Sequence, residues 1–399
     1  MNKDVQPIEQ AIELHRKGRL AQAEAIYLRL LRTRPNDVDA LHYLGILRMN
    51  QDRIDQAVEL VQRSLKLAPR NFHAWNNLGN LLISKNDEDG AEKAYSNATN
   101  LHPQFAEAWY NLGNLFRRKR RPDDALASYR RVIDSNPRFA LAYENLALLL
   151  YRMGRHDLAG ETYRKWLEVE PDHPTARHMV AAHSHSQAPA RAADEYVATM
   201  FDGFAETFDR NLASLNYAAP QLLAAALAEV VRFSESRLAV LDAGCGTGLC
   251  GPLLRSTAQK LVGVDLSPGM LAQAKQREVY DELHEGELVA FMRAHPDSCD
   301  VVISADTLVY FGVLEDAMNA AAGAMKPGGV LAFTVEAAPE EATEDFALQP
   351  HGRYVHRKEY VQRCIGNAGL DVLQIEAGVL RKEMGRDVNG YVTLARKPA

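Results

Sequence analysis

The sequence predicts a multidomain chain of two fold classes: an all-α repeat solenoid over residues 1–180, then an α/β Rossmann-like domain over residues 195–399. Residues 181–194 join them as a linker. Three observations predict this. Pro35, Pro69, Pro103, Pro137 and Pro171 fall 34 residues apart, as do Ala23, Ala57, Ala91, Ala125 and Ala159. From about residue 194 short β-branched runs alternate with helical patterns. One of those runs, LAVLD, opens onto the glycine-rich stretch AGCGTG.

In the first half, each periodic alanine is followed four residues later by Tyr27, Val61, Tyr95, Tyr129 or Tyr163. The clearest units start at Trp75 (WNNLGNLL) and Trp109. Each repeat predicts two antiparallel helices. Small residues (Ala11, Gly45, Gly79, Gly113, Ala147) stand where the helices approach, and aromatic rings fill between them. Each proline lies just past the second helix, which it cannot continue. One such unit cannot bury its apolar face alone, so five stack into a solenoid, and PTARHMVAAH (174–183) reads as a capping helix. The pattern resembles the tetratricopeptide repeat in period and key positions.

On the concave face Asn77, Asn111 and Asn145 recur every 34 residues, near Asn76, Asn80 and Asn114. They read either as solvated polar positions or as a substrate-binding amide ladder for a peptide backbone, because an amide both donates and accepts. Resemblance to the repeats of O-linked N-acetylglucosamine transferase implies such a ladder. The run from Arg117 to Arg121 reads as a solvated turn, or as a surface for an acidic partner. His183 and His185 alternate in the linker, a pattern too sparse to mark a metal site, so no metal is expected.

The chain of 399 residues carries a net charge of −6, unevenly spread: +4 over residues 1–190 and −10 over the remainder. The acidic second half argues against nucleic acid as its direct substrate. No apolar run approaches the roughly 20 residues of a membrane span, and MNKDVQPIEQ lacks the apolar core of a signal peptide. Cys245, Cys250, Cys299 and Cys364 form no CxxC pair, which suits reduced thiols and a cytoplasmic location.

In the second half LAVLD (238–242), LVGVD (261–265), DVVISAD (300–306) and VLAFTVE (330–336) read as buried strands. Ligands of such sheets bind at the carboxyl ends of strands. Asp242, Gly244, Cys245, Gly246 and Gly248 lie at the end of the first strand, and Asp265 at the end of the next, where a carboxylate can accept both hydroxyls of a ribose. A dinucleotide site expects G-x-G-x-x-G and a pyrophosphate at a helix N-terminus. Here the third glycine comes one residue early. Asp242 also precedes the loop, which suits a cationic ligand and repels a pyrophosphate. S-adenosylmethionine has a ribose, an ammonium and a sulfonium, and no phosphate.

Residues 195–399 thus resemble a class I S-adenosylmethionine-dependent methyltransferase, through LDAGCGTG, VGVDLS, DVVISADTLVYF and KPGGVLAF, with DVLQIE and GYVTLARK as the closing strands of a seven-stranded sheet. The whole chain is similar to bacterial predicted methyltransferases that carry tetratricopeptide repeats. The resemblance implies S-adenosyl-L-methionine as cofactor. It sets the methionine moiety against Gly244 and Gly246, with Asp242 beneath, the ribose on Asp265 and the adenine between Leu266 and Met270. Glu287 and Leu288 would line the adenine edge and Asp306 would stand beside the sulfonium, although Glu287 and Asp306 also suit helix N-caps. Cys245 reads as a small filler. Phe201, Phe204 and Phe208 in FDGFAETFDRNLASLNY recur at helical spacing as core, or, as in related enzymes, as a lid over the cofactor.

Methyl transfer needs aim and water exclusion more than a strong base. Catalytic candidates are Tyr310, His351, Tyr354 and His356, and Arg353 is a candidate for holding an acceptor carboxylate. Three functions stay open: methyl transfer to a protein or peptide recruited by the repeats, transfer to a small metabolite with the repeats serving assembly, and a non-catalytic interaction protein.

Overall fold

A computed structural model describes residues 5–184, 188–231 and 238–399. His185 lies outside the described residues. The chain divides into two compact units, Met1–Val169 and Glu170–Ala399.

The first unit is a series of antiparallel helix pairs: α1 (Val5–Arg16) with α2 (Leu20–Thr33), α3 (Val38–Asn50) with α4 (Ile54–Leu67), α5 (Phe72–Ser84) with α6 (Glu88–Leu101), α7 (Ala106–Arg118) with α8 (Pro122–Ser135), and α9 (Ala140–Arg152) with α10 (His156–Val169). The pairs are set by contacts that repeat with the sequence. A Cβ at Gly113 would stand 2.7 Å from the Tyr129 ring, and one at Gly45 2.7 Å from Val61. The small residue is what lets the two helices close on a large one. Trp75 and Trp109 donate their indole N–H to the carbonyls of Pro69 and Pro103 at 2.9 Å, fixing each inter-repeat turn.

The asparagines at 34-residue spacing each bind the preceding repeat through their amide nitrogen. Asn77 Nδ2 lies 2.9 Å from His42 Nε2, Asn111 Nδ2 donates to Asn76 Oδ1 at 2.9 Å, and Asn145 Nδ2 donates to the Tyr110 hydroxyl at 2.9 Å. Each bond reaches back 35 residues to the preceding repeat. The ladder clamps repeat to repeat, and its amide donors face their neighbours. The basic run is also engaged. Arg118 pairs with Glu88, Lys119 with Asp89 and Glu92, and Arg121 with Glu92 and Asp124. These pairs engage three of the five basic residues of the run.

The second unit opens with α11 (Pro174–Ala182), α12 (Asp194–Phe204), α13 (Phe208–Ser214) and α14 (Ala219–Val230). Then come β1 (Leu238–Ala243), α15 (Gly251–Leu254), β2 (Ala258–Asp265), α16 (Pro268–Gln276), β3 (Glu282–Glu285), α17 (Leu288–Ala294) and β4 (Cys299–Ser304). The chain closes with α18 (Glu315–Ala324), β5 (Met325–Ala337), β6 (Phe346–Leu348), β7 (Tyr354–His356), α19 (Lys358–Asn367), β8 (Asp371–Glu383) and β9 (Arg386–Arg396). The expected edge at residue 180 moves. The helix expected to cap the solenoid, α11, belongs to this compact unit, because His178 Nε2 lies 2.8 Å from the Gly352 carbonyl and its ring stacks on Tyr196 at 4.0 Å. It keeps the repeat's signature even so: Arg177 stands where Trp75 and Trp109 stand, and its Nε donates to the Pro171 carbonyl at 3.1 Å.

The sheet runs β3-β2-β1-β4-β5, all parallel, and continues through β9, antiparallel to β5, with β8 beyond it. Short β6 and β7 form a hairpin on the far end of β5, parallel at Glu336 and Ala337. Alternate residues of β1 serve opposite faces. Leu241 and Ala243 pack with α17, α18 and α19, whereas Leu238 and Val240 pack with α14. Burial on both faces explains why these strands read as continuous apolar runs. The order reverses at β1, between β2 and β4, so the switch point falls on the glycine loop.

Glycine substitutions separate packing from propensity. Gly113→Ala should lower stability in urea denaturation by about 1–3 kcal/mol, through overpacking against Tyr129. Gly323→Ala, in α18 with nothing within 4 Å of the new methyl, should raise it by about 0.5–1 kcal/mol.

Candidate functional site

β1 ends at Ala243 and the chain turns through GCGTG with φ of +80° at Gly244 and +53° at Gly246. Side chains rarely adopt this left-handed backbone. A Cβ at Gly244 would collide with Thr307, whereas one at Gly246 would meet nothing within 4 Å. Gly246 therefore presents bare backbone to open space. The loop is held from beneath by the end of β2: Gly246 N–H donates to Asp265 Oδ2 at 2.8 Å and Ser267 N–H to Oδ1 at 2.9 Å. Each carboxylate oxygen keeps a second lone pair for a ligand hydroxyl. Burial raises Asp265 above its ordinary range, and these backbone N–H groups partly offset that.

Asp242 lies under the loop and is 1 % exposed. Tyr280 donates its hydroxyl to Oδ2 at 2.6 Å, and Oδ1 is buried without a partner. Burial pushes the carboxyl up to about 7, against the Tyr280 hydrogen bond. An unpartnered buried oxygen beside an open glycine fits an ammonium-bearing ligand. Cys245 is buried with its thiol pushed well up, which suits a filler and not a nucleophile. Met270 is buried on α16, and Ser267 caps that helix by accepting from Met270 N–H at 3.1 Å. Leu266 stands between Asp265 and Ser267.

Glu287 caps α17, accepting from Val289 N–H at 3.0 Å and Ala290 N–H at 2.8 Å, and pairs with Arg191 at 3.1 Å. Leu288 is buried in the core beneath the sheet. Glu287 Oε1 is taken by Val289 and Arg191, whereas Oε2, bound by Ala290 N–H alone, keeps a second lone pair.

The FD–FD segment latches onto this loop. Asp209 Oδ1 accepts from Thr247 Oγ1 at 2.5 Å and Oδ2 pairs with Arg277. Asp202 Oδ1 accepts from Ser267 Oγ and from Gly269 N–H at 3.0 Å. Phe201 meets Phe208 edge-on at 5.8 Å and Tyr310 at 5.6 Å, whereas Phe204 is exposed. Phe201 thus packs against Phe208 and Tyr310, and the two aspartates tie this segment to the loop and to the β2–α16 turn.

On the other side, at the carboxyl ends of β4 and β5, stands a buried ion network. Asp306 takes φ of +57°, a conformation costly for a non-glycine residue. Its Oδ2 accepts from Arg381 Nη1 at 2.5 Å, and Oδ1 is buried without a partner. Arg381 also pairs with Glu336 and, at 2.7 Å, with Glu383. Arg353 donates Nε to Glu336 at 2.6 Å and Nη2 to both oxygens of Glu383 at 2.7 and 2.8 Å. Burial opposes ionisation of Glu383, but Arg353 and Arg381 outweigh it and hold the carboxyl at about 2. Burial, with Arg353, holds His351 down to about 4, so it is neutral at pH 7. Burial pushes Tyr310 up to about 12.

The network thus gathers Tyr310, His351, Arg353 and Asp306 at one place. It does not include Tyr354 and His356. Tyr354 donates its hydroxyl to the Pro189 carbonyl at 2.8 Å, and His356 Nε2 lies 2.8 Å from the Phe311 carbonyl while its ring stacks on Tyr360 at 6.1 Å. Both lie on β7 and face the same packed interior, so they brace the fold and not the reacting groups. Glu336 and Glu383 occupy Nε and Nη2 of Arg353, which leaves Nη1 as its arm for an acceptor. Sequence reasoning missed Arg381, Glu336 and Glu383. A lone glutamate closing the apolar run VLAFTV was the available signal for Glu336. The notch of the loop is also fixed from α11: a Cβ at Gly352, between His351 and Arg353, would stand 2.9 Å from the Tyr196 hydroxyl and 3.0 Å from Met179 Sδ.

Comparison with known proteins accords with this geometry. Residues 241–333 match the sequence model of a methyltransferase domain, and residues 14–78, 79–119 and 110–174 match tetratricopeptide-repeat models. The chain joins tetratricopeptide repeats to a methyltransferase domain. Relatives of that domain include a malonyl-[acyl-carrier protein] O-methyltransferase of Enterobacter lignolyticus, 32% identical over 33% of this chain and 51% of that protein. Methyltransferase-like protein 27 of Homo sapiens is 32% identical over 34% of this chain and 55% of that protein. The chain spans about half the length of the curated relatives it matches. The repeats are similar to the crystal structure of MamA, at 27% identity and a TM-score of 0.38, over 40% of this chain and 94% of that one. Among the described residues, no group of three or more His, Cys, Asp and Glu side chains is arranged to hold a metal ion, and no helix is long and apolar enough to cross a membrane.

The raised carboxyl of Asp242 in the methyltransferase domain has a pH signature. The folded chain holds this proton up to about pH 7, whereas an unfolded carboxyl releases it near pH ~4. Stability from this group is therefore full below pH ~4 and is lost as pH rises through about 7. Denaturation of Asp242→Asn should show the variant gaining stability relative to the parent between pH 5 and pH 8, and a constant difference would contradict the assignment.

Proposed function

We propose that the chain binds S-adenosylmethionine at the GCGTG loop and transfers its methyl group to an acceptor, a protein or peptide recruited by the repeats. The observation that carries the reading is the turn after β1: bare backbone at Gly246, Asp265 beneath it, and a buried unpartnered oxygen on Asp242. Asp265 would hold the ribose hydroxyls, Asp242 the ammonium, and Leu266 and Met270 the adenine. When bound, the donor supplies a methyl carbon on a sulfonium leaving group. The protein's share is aim and dryness. Phe201 and Phe208 exclude water under the two aspartate latches, and Asp306 and Tyr310 stand where the acceptor would enter.

Recruitment of a protein acceptor is supported by the repeat array and by relatives whose names place their acceptor on a carrier protein. Asn77, Asn111 and Asn145 bind the preceding repeat through Nδ2, and their carbonyl oxygens remain candidates for a backbone N–H of the recruited chain.

Calorimetric titration of the full chain with S-adenosylmethionine tests donor binding. Asp265→Ala should weaken it about a hundredfold or more, the scale of two hydrogen bonds to a charged group, and unchanged affinity would refute the site. Removal of residues 1–169, which leaves α11 and its hold on Gly352 intact, should abolish labelling of proteins in a lysate while donor binding persists. Undiminished labelling would refute recruitment by the repeats.

A further inference from the structure

The ion network at the ends of β4 and β5 is unbalanced in charge. Two guanidinium groups, Arg353 and Arg381, face three carboxylates, Asp306, Glu336 and Glu383. Every nitrogen of Arg381 already donates to a carboxylate. Arg353 gives Nε to Glu336 and Nη2 to both oxygens of Glu383. His351 is neutral, and its Nδ1 accepts from Arg353 N–H at 3.3 Å. Asp306 Oδ1 is buried and has no partner. It lies next to the glycine loop, because Thr307 Oγ1 donates to the Gly244 carbonyl at 3.1 Å.

Resting on the methyl-transfer reading above, we infer that the acceptor is an amine, whose N–H is received by Asp306 Oδ1. A carboxylate acceptor would bring a fourth negative charge to a site that already sets three carboxylates against two guanidinium groups, and excess buried charge is strongly disfavoured. An amine brings the missing donor. A hydroxyl acceptor must have its proton taken during attack, and neither Asp306, a carboxylate whose other oxygen is held by Arg381, nor His351, with its basicity lowered, is a strong base for that task. A neutral amine attacks without that help. Its lone pair forms the bond to the methyl carbon, the carbon–sulfur bond breaks with its electron pair left on sulfur, and the new ammonium gives a proton to the Asp306 carboxylate. The products are an N-methylamine, a neutral thioether and protonated Asp306. The inference departs from the O-methylation named for the malonyl-[acyl-carrier protein] relatives.

Two measurements on the full chain test it. In the first, lysate of cells lacking the gene is incubated with protein and methyl-tritiated S-adenosylmethionine. The label should resist mild alkali and, after acid hydrolysis, travel with N-methylamines. Release as methanol under alkali, the mark of a methyl ester, overturns the inference and leaves methyl transfer standing, and so does label that travels as an O-methyl ether. No label at all, with donor binding intact, overturns methyl transfer and the inference together. In the second, calorimetry compares S-adenosylhomocysteine with sinefungin, a donor analogue bearing an amine at the methyl position. Sinefungin should bind roughly tenfold or more tighter, the value of one charge-assisted hydrogen bond. Asp306→Asn should shrink that preference while S-adenosylhomocysteine still binds. Equal binding of the two by the parent chain overturns the assignment of Asp306.

Discussion

The hydrogen bond from Gly246 N–H to Asp265 Oδ2 is the contact around which the catalytic unit is arranged. It ties the turn after β1 to the end of β2, at the point where the strand order reverses. That turn needs left-handed backbone at Gly244 and Gly246 and leaves Gly246 bare. The other parts attach to it: Thr307 packs on Gly244, Asp209 of the FD–FD segment takes Thr247, and Tyr280 reaches up to Asp242. A ligand at Gly246 therefore meets groups from β1, β2, β4 and that segment at once.

Much of this was legible in the sequence because it is periodic or local. The 34-residue period of Gly113, Ala125, Tyr129 and Pro137 states a packing requirement in residue sizes, and the helix pairs meet it. Burial of β1 on both faces, with Leu241 packed on one and Val240 on the other, is likewise written in the chain as a continuous apolar run. What was not legible depends on contacts between residues far apart. Arg381 meets Asp306 across 75 residues, and nothing local marks it. The asparagine ladder is a related case: its period is evident in the sequence, but only the structure shows that Nδ2 of Asn77, Asn111 and Asn145 reaches back 35 residues to the previous repeat. Glu287, an acid in a family-marked loop, is occupied as a helix cap. Tyr354 and His356 carry suitable chemistry, yet β7 points them into packing.

The two sides of the site differ in electrostatic character. Beneath the glycine loop two carboxylates, Asp242 and Asp265, are held above their ordinary range chiefly by burial, with no cationic side chain paired to either. That environment favours positive charge or hydrogen-bond donors from a ligand. Beyond β4 the carboxylates are matched with arginines, and Glu383 is held low by them. Asp306 joins the two sides, with one oxygen in the arginine network and the other unpartnered. α11 adds a mechanical link, since its His178 and Met179 hold Gly352 between His351 and Arg353. A helix with the register of a sixth repeat is thus part of the frame that sets the ion network.

The central claim is that a methyl donor lies on the Gly244–Gly246 backbone with its ribose on Asp265. A crystal structure of the full chain soaked with S-adenosylhomocysteine tests it most directly. The account predicts both ribose hydroxyls on the Asp265 carboxylate, the ligand ammonium near Asp242 Oδ1 and the thioether sulfur facing Asp306. A ligand bound away from the glycine loop, or one whose ribose leaves Asp265 without contact, would contradict it.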